Sequence, residues 1–175
     1  MNQLALDSQP TSEYRTIRLT QGRAAIIDAA DYEWLSQWKW CAVENKYRGV
    51  FYAVRRSPRK GEEPRHTEIM HRLILGLKYG DCRLGDHINL NTLDNRRSNL
   101  RIASSSQSQC NRGKQKNNSS GFKGVSFDKK MRKWQAYIKI NRKRRNLGYF
   151  STSTAAYSAY CVAATELHGE FKRLE

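Results

Sequence analysis

The first third of the chain is predicted to contain short strands and one short helix. Residues 15–19 alternate between polar and apolar, which is typical of a strand with one buried face, and three further short runs are also predicted to be strands. The predicted strands are residues 15–19, 24–27, 40–43 and 51–55. Gln21-Gly22 is a turn signal that joins the first two strands into a hairpin. A short helix is expected after the second strand, capped by Asp28 or Asp31 and continuing to Trp38.

The middle of the chain changes to helical spacing. Residues 68–77 are predicted to form a helix, because their apolar positions share one helical face, and a strand is expected at 82–85. His71 lies in this helix and is expected to be structural, with a place near a metal or a phosphate as the alternative. Three tryptophans at positions 34, 38 and 40 are expected to form a small core rather than to stack on bases.

Alternation returns near the end of the chain. Residues 122–127, 134–140 and 144–149 predict a three-stranded antiparallel sheet, and the period of two turns Trp134 and Ile138 to one face. A following helix should cover that face, and Phe171 is expected to pin its end. The helical positions are Ala155, Ala156, Ala159, Tyr160, Ala163, Ala164 and Leu167.

Charge narrows the choice of partner. The 175 residues carry 32 Lys and Arg against 16 Asp and Glu, a formal net charge of +16, which indicates a polyanion such as nucleic acid. No apolar run is long enough for a bilayer, so the protein is expected to be cytoplasmic with no membrane partner. The four cysteines form no C-x-x-C pair, which argues against a cysteine zinc site, and each is expected to pack as a small apolar residue.

The richest candidate chemistry lies at residues 86–102, where Asp86 stands beside His87 ahead of a loop crowded with Asn and Asp. Carboxylate and amide oxygens are the ligands that a hard divalent cation prefers, and a neutral imidazole can take a proton from water. Such residues also bond their own backbone, so an ordinary surface turn is the alternative.

The order D-H-I-N-x-N-x-x-D-N-R-x-x-N-L-R in this stretch resembles the HNH homing-endonuclease motif of phage and intron-encoded enzymes, with cover over about 69–112. The resemblance implies two short strands and a helix around one divalent metal, Mg²⁺ or Mn²⁺. It implies that His87 is the general base, that Asp86 is a metal ligand and that Asn99 holds the loop. Arg96, Arg97 and Arg101 are suited to phosphate contacts, because guanidinium groups bond two oxygens at once.

The chain departs from this motif at two positions. The second metal ligand of the family, an Asn or His, falls on Ser108, whose hydroxyl is a weaker ligand, and Asn111 is a possible replacement on the same helix face. Leu90 stands where many relatives carry Gly. These substitutions motivate an alternative, a DNA-binding regulator with a weakened or inactive nuclease core.

Residues 113–120 form a basic, turn-rich linker that could also follow a DNA backbone. Beyond it, the order F-K-G-V…K-W-x-A-x-I…R-x-N-L-G-Y-F resembles the Apetala/ethylene-response-factor type of DNA-binding domain, which reads the major groove with its sheet. The contact positions implied by this resemblance are Lys123, Ser126, Asp128, Tyr137, Lys139, Arg144 and Asn146.

The predicted fold is α+β, with a ββα-metal nuclease core, an N-terminal hairpin-rich extension and a C-terminal three-stranded sheet packed on one helix. The predicted segments are a flexible terminus at 1–13, the nuclease domain at 14–112, the linker at 113–120 and the DNA-binding domain at 121–175. The predicted function is an HNH DNA endonuclease that hydrolyses a phosphodiester bond in double-stranded DNA, without an obligate protein partner.

Overall fold

A computed structural model describes residues 14–59, 61, 64–115, 117–141 and 143–174, so the predicted flexible terminus lies outside the described residues. Contacts between residues group the chain into two compact units. The first contains the chain up to Asp81 together with Asn91–Arg101, and the second contains Cys82–Leu90 together with Ile102 onwards.

The first unit begins with the predicted hairpin. Strands β1 (Tyr14–Arg18) and β2 (Ala24–Asp28) pair antiparallel, and helix α1 (Ala29–Ser36) follows directly. Asp28 occupies the N-cap position, as predicted, but its side chain makes no capping bond and instead accepts a hydrogen bond from the Arg97 backbone N–H. The cap prediction was therefore correct in position and wrong in the bond it assumed.

A three-stranded antiparallel sheet follows, with strands β3 (Cys41–Asn45), β4 (Val50–Arg56) and β5 (Thr67–Ile69) in that order. The helix predicted at 68–77 was too long, because its first residues belong to β5 and only α2 (Met70–Ile74) is helical. β5 pairs with β4, with Val54 opposite Ile69. Pairing with β4 therefore makes a strand of residues whose local spacing favoured a helix.

The core of this unit is built from both sheets and both helices, and its fully buried side chains include Ile27, Leu35 and Met70. The predicted tryptophan core holds in part. Trp40 is buried, whereas Trp38 is 39% exposed and packs its ring under the Arg55 guanidinium at 4.1 Å.

The second unit starts with strand β6 (Leu84–His87), which forms a two-stranded sheet with β7 (Leu100–Ala103), the strand whose last two residues belong to this unit. Helix α3 (Ser105–Cys110) comes next. Its N-cap is Ser104, and Gln107 completes a reciprocal capping box.

The predicted C-terminal sheet forms from β8 (Val125–Asp128), β9 (Lys133–Ile140) and β10 (Lys143–Phe150), in the order β10-β9-β8, all antiparallel. Helix α4 (Ser153–His168) covers one face, and a 3₁₀ turn, Gly169–Phe171, follows it. Ala136, Ile138 and Tyr160 are buried between sheet and helix, and Phe171 is buried beyond the helix end.

Some details of the predicted packing were wrong. Ala155 and Leu167 are exposed, because the sheet-facing stripe of α4 is narrower than the apolar face read from the sequence. Cys41 and Cys82 are also exposed, which contradicts their predicted packing as small apolar residues, while Cys110 and Cys161 are half-buried. Among the described residues, no helix has both the length and the apolar character needed to cross a membrane.

Side chains fix the end of the predicted linker. Asn118 Nδ2 donates to the Phe122 carbonyl at 2.8 Å, and Ser120 Oγ donates to the Val125 carbonyl at 2.8 Å. Lys114 Nζ reaches the Gly121 carbonyl at 3.0 Å. These bonds tie residues 118–125 together, so this part of the linker is an ordered turn.

Candidate active site

Strand β6 ends on Asp86 and His87, and both side chains are buried. The Asp86 carboxylate is held through both of its oxygens. Ser108 Oγ on α3 donates to Oδ1 at 3.2 Å, and Asn111 Nδ2 at the end of α3 donates to Oδ2 at 3.1 Å. The structure therefore brings together the three residues that the sequence predicted as metal ligands.

Asn111 takes part with its nitrogen. Its Nδ2 donates both to Asp86 and to the His87 carbonyl, at 2.8 Å, and the residue is 3% exposed. Both partners are acceptors, so turning the amide over would set oxygen against oxygen. In this arrangement Asn111 positions Asp86 and does not offer it the carbonyl oxygen that the predicted ligand role required.

The turn after His87 is strained at Leu90. The Leu90 N–H donates to the His87 carbonyl at 3.1 Å, and Leu90 adopts φ 67°, in the left-handed region. A side chain with a Cβ pays a steric penalty there that glycine does not. The departure from glycine seen in the sequence therefore coincides with a real backbone requirement.

The loop at 91–99, in the first unit, is stiffened by its own side chains. Asn99 is buried, and its Nδ2 donates to the Asp94 carbonyl at 2.7 Å, which is the backbone bond its predicted loop-holding role required. Asn91 Oδ1 accepts from the Leu93 N–H, and Asn95 Nδ2 donates to the Leu93 carbonyl. Bonds from Asx side chains to the backbone therefore stiffen this loop.

Two of the three arginines expected to contact phosphate form hydrogen bonds to carboxylates of the protein itself. Arg96 bonds both oxygens of the buried Asp94 at 2.8 and 2.7 Å, and Arg97 bonds both oxygens of the buried Asp31 at 2.9 and 2.7 Å. These hydrogen bonds raise the pKa of each guanidinium. Phosphate contact by Arg96, Arg97 and the partly buried Arg101 stays a prediction. The sequence reading missed Asp31 as a partner, because the two residues are 66 positions apart.

The uncovered face of the C-terminal sheet carries most of the predicted contact residues. Register pairs Lys139 with Arg144 and Tyr137 with Asn146, and the Arg144 guanidinium lies 3.7 Å from the Tyr137 ring centroid. Alternation along the strand also predicts Gln135 on this face, although it was not among the predicted contact residues. Gln135 accepts a hydrogen bond from Arg144 at 2.7 Å.

Two of the predicted contact residues, Asp128 and Lys123, bond backbone groups of the protein. Asp128 Oδ1 accepts the backbone N–H groups of Lys130 and Met131, so it holds the β8–β9 turn. Ser126 lies on β8 beside Gln135. Lys123 is half-buried, and its ammonium donates to the Cys110 carbonyl at 2.5 Å, which removes it from the open face on which the resemblance would put it.

A cluster that the sequence did not indicate joins α3 to the C-terminal elements. Cys110 Sγ lies 3.4 Å from His168 Nδ1, and Lys123 bonds the Cys110 carbonyl. Burial lowers the pKa of Lys123 to about 8, lowers that of His168 and raises that of the Cys110 thiol. Nothing in the local sequence links these positions, because 58 residues separate Cys110 from His168.

Beside this cluster is a cavity of about 450 Å³, lined by the segment after α3 and by β8, β9 and α4. None of its described lining residues is acidic, and its cationic lining residues are Arg112, Lys114, Lys123 and Lys139. An anionic ligand would meet only favourable charge there.

The described residues contain no group of three or more His, Cys, Asp and Glu that could hold a metal ion. A divalent cation at the candidate site would bind the Asp86 carboxylate. The second oxygen donor would be the Ser108 hydroxyl, which lies 3.2 Å from Asp86 Oδ1. Mg²⁺ often binds through one or two carboxylates and keeps several waters, so this small oxygen donor set fits it and does not fit a softer metal that prefers sulfur.

A comparison with known protein families covers part of the candidate site, including Asp86, His87 and Ser108. The HNH endonuclease family matches residues 68–109. The chain is similar to protein 3.8 of Escherichia phage T7, with 33% identity over 89 residues that cover 50% of this chain and 72% of the phage protein. No solved structure matches the chain.

Proposed function

This chain belongs to the same family as protein 3.8 of Escherichia phage T7 and carries an HNH endonuclease domain at residues 68–109, and from this premise we propose that it is a metal-dependent DNA endonuclease of the homing type. The observation that carries the proposal is the buried Asp86–His87 pair at the end of β6, with Asp86 held by Ser108 and Asn111. The proposed substrate is a phosphodiester bond in double-stranded DNA, in the cytoplasm of an infected host.

His87 is the proposed general base. It takes the proton of the water that attacks phosphorus, while the scissile bond to the 3′ oxygen breaks. The Asn111 bond to the His87 carbonyl restrains the backbone that carries the imidazole.

Asp86 and Ser108 are the proposed holders of one Mg²⁺ or Mn²⁺, which, when bound, supplies electrostatic stabilisation to the developing charge on the phosphate and the leaving oxygen. Asn111 is assigned to orientation of Asp86 through its nitrogen. Asn99 is assigned to the loop of the first unit, through its bond to Asp94.

Target selection is assigned to the uncovered face of the C-terminal sheet, as the resemblance to Apetala-type domains suggests. Tyr137, Lys139, Arg144 and Asn146 share that face, which supports a role in DNA contact. Twisted antiparallel strands with basic and amide side chains can enter the major groove and bond base edges.

The test is cleavage of genomic DNA from the host by the full chain with Mg²⁺, followed by His87→Ala. We expect the variant to lose cleavage and to keep DNA binding within a few-fold, because the imidazole acts on the water and not on affinity. His66→Ala, at a half-buried histidine on the first unit, is the matched control and should cut at the wild-type rate. Cleavage by His87→Ala at the wild-type rate would overturn the assignment.

Ser108 favours one second candidate, a sequence-specific DNA-binding regulator that retains a nuclease fold. A hydroxyl replaces the amide or imidazole ligand, and it already donates to Asp86 at 3.2 Å. If the parent chain is inert and Ser108→Asn gains cleavage, the regulator is supported. An active parent excludes it.

A further inference from the structure

Helix α3 buries none of its own six residues, although Ser108 within it and the buried Asn111 directly after it hold Asp86. Six residues are too few for a stable helix in water without outside support. Its position therefore depends on polar contacts at its two ends. At the N-terminal end, the capping box of Ser104 and Gln107 is internal to the segment and cannot fix where the helix lies.

Besides the Asn111 bonds to β6, the contacts at the other end come from the C-terminal elements. Lys123 Nζ, just before β8, donates to the Cys110 carbonyl at 2.5 Å. His168 Nδ1, at the end of α4, lies 3.4 Å from Cys110 Sγ. The thiol has one hydrogen, and it can donate to the Ser106 carbonyl at 3.2 Å, which leaves sulfur as the acceptor for a His168 Nδ1–H.

Cys110 lies between the two residues that matter for Asp86, two positions after Ser108 and directly before Asn111. A shift of its carbonyl moves the next residue, Asn111, whose nitrogen bridges Asp86 and the His87 carbonyl. Burial of the Lys123 ammonium against this carbonyl has a cost, as its lowered pKa of about 8 indicates, and sequence resemblance would have given the same lysine an exposed role.

We propose that Lys123 and His168 are positioning residues for the nuclease reaction: they hold the last turn of α3 so that Ser108 and Asn111 keep Asp86 and His87 in the cutting geometry. The C-terminal sheet and α4 then do more than select the DNA target, because Lys123 and His168 also support the proposed active site. The inference rests on the proposed endonuclease function and assigns to it two residues outside the HNH match at 68–109.

The experiment compares Lys123→Met, Lys123→Arg and the control Lys172→Met, which removes an ammonium from the same unit at a residue whose contact with Gly169 is made by its backbone. Rates are measured at saturating DNA with Mg²⁺, and DNA affinity is measured separately. We expect Lys123→Met to lower the turnover rate roughly 10- to 100-fold, as a displacement near 1 Å does, with affinity changed less than about threefold. Lys123→Arg should recover most of the rate, and Lys172→Met should match the wild type.

Weaker DNA binding by Lys123→Met, with a shallower salt dependence and an unchanged turnover rate, would instead make Lys123 a phosphate contact and overturn the proposal. His168→Asn against His168→Leu repeats the test at the second residue, since the Asn amide can still bond sulfur and Leu cannot. A rate loss in Leu that Asn recovers supports positioning, and equal rates in both variants contradict it.

A second measurement needs no cleavage. Amide hydrogen exchange of the metal-free protein reports the α3 bonds Ser108 N–H to Ser104 and Asn111 N–H to Gln107. Faster exchange at these two amides in Lys123→Met, with β9 amides unchanged, supports the proposal, and unchanged exchange contradicts it. This result stands even when the wild-type chain cuts no DNA, so failure of the proposed function and failure of the positioning role are told apart.

Discussion

Asn111 shows how one buried amide can restrain the geometry of Asp86 and His87. Its nitrogen meets two acceptors, Asp86 Oδ2 at 3.1 Å and the His87 carbonyl at 2.8 Å, so one side chain restrains two consecutive residues of β6. The sequence offered Asn111 as a substitute metal ligand. The acceptors around it make its nitrogen the atom that bonds both residues.

Leu90 gives a prediction at the same scale. Because Leu90 holds φ 67°, replacement by Asn, which tolerates the left-handed region, should stabilise the protein by up to about 1 kcal/mol. Leu90→Val should destabilise it by a similar amount, since a β-branched side chain fits that region worst. In urea unfolding, the free energy of unfolding should decrease in the order Asn variant, wild type, Val variant. A Val variant as stable as the Asn variant would contradict it.

At the scale of elements, the C-terminal sheet and α4 meet at a point where only glycine fits. Gly124, with φ +73°, would place a Cβ 2.2 Å from the Tyr160 ring and 2.7 Å from the Tyr137 carbonyl. Both neighbours are held in the packed interface, and a backbone carbonyl cannot rotate away as a flexible side chain can. The sequence signal for this position was the glycine in F-K-G-V.

Gly124→Ala should therefore lower the free energy of unfolding by about 3 kcal/mol or more, through a clash added to an unfavourable φ. Gly121→Ala is the matched control, because Gly121 also has positive φ, +79°, but open space around its missing Cβ. It should cost only about 1 kcal/mol. Equal losses in chemical denaturation would show that φ, and not the contact with Tyr160, governs both positions.

The junction of α1 with the 3₁₀ turn Arg97–Asn99 is another element-scale contact. Asp31 on α1 is 3% exposed and accepts two bonds from Arg97 and one from Trp34 Nε1 at 3.0 Å. Arg97 also donates to the Ile74 carbonyl at 3.2 Å. The guanidinium thus links α1, the end of α2 and the Asn-rich loop within the first unit.

Removing this link should leave a buried carboxylate with one donor. Arg97→Ala is expected to lower the free energy of unfolding by about 2 kcal/mol, the usual loss of hydrogen bonds to a charged group. Arg18→Ala, at an exposed position of β1, is the control and should change it by less than about 0.5 kcal/mol. If Arg97→Ala is as stable as the control and instead binds DNA less tightly, the phosphate contact predicted from the sequence is its main role.

At the scale of the whole molecule, charge dominates. A formal net charge of +16 on 175 residues predicts that DNA binding weakens steeply with salt, because each phosphate contact releases counterions. Lys139→Ala, on the open sheet face, should reduce the slope of log affinity against log salt by about one. Lys46→Ala, in an exposed turn of the first unit, should leave the slope unchanged. Binding titrations at four or more salt concentrations measure both.

The sequence alone predicted most elements of the molecule, since they depend on local patterns. Alternation fixed β9 and the buried positions Ala136 and Ile138, and the spacing of small residues predicted α4. The Asp86-His87 pair and its Asx-rich loop were likewise visible as a motif, and the HNH match at 68–109 agrees with that. β5 was missed, because its three residues become a strand only through pairing with β4.

Only tertiary structure decided which atoms meet. Asp31 and Arg97, or Cys110, Lys123 and His168, are far apart along the chain, and no periodicity relates them. The sequence determined that Asp86 directly precedes His87, and the resemblance to the HNH motif implied that the two residues lie where a short strand ends. Three-dimensional packing decides that Asn111 turns its nitrogen to Asp86 and that the half-buried Lys123 bonds the end of α3. Buried donors and acceptors have no water to bond, so they pair with each other.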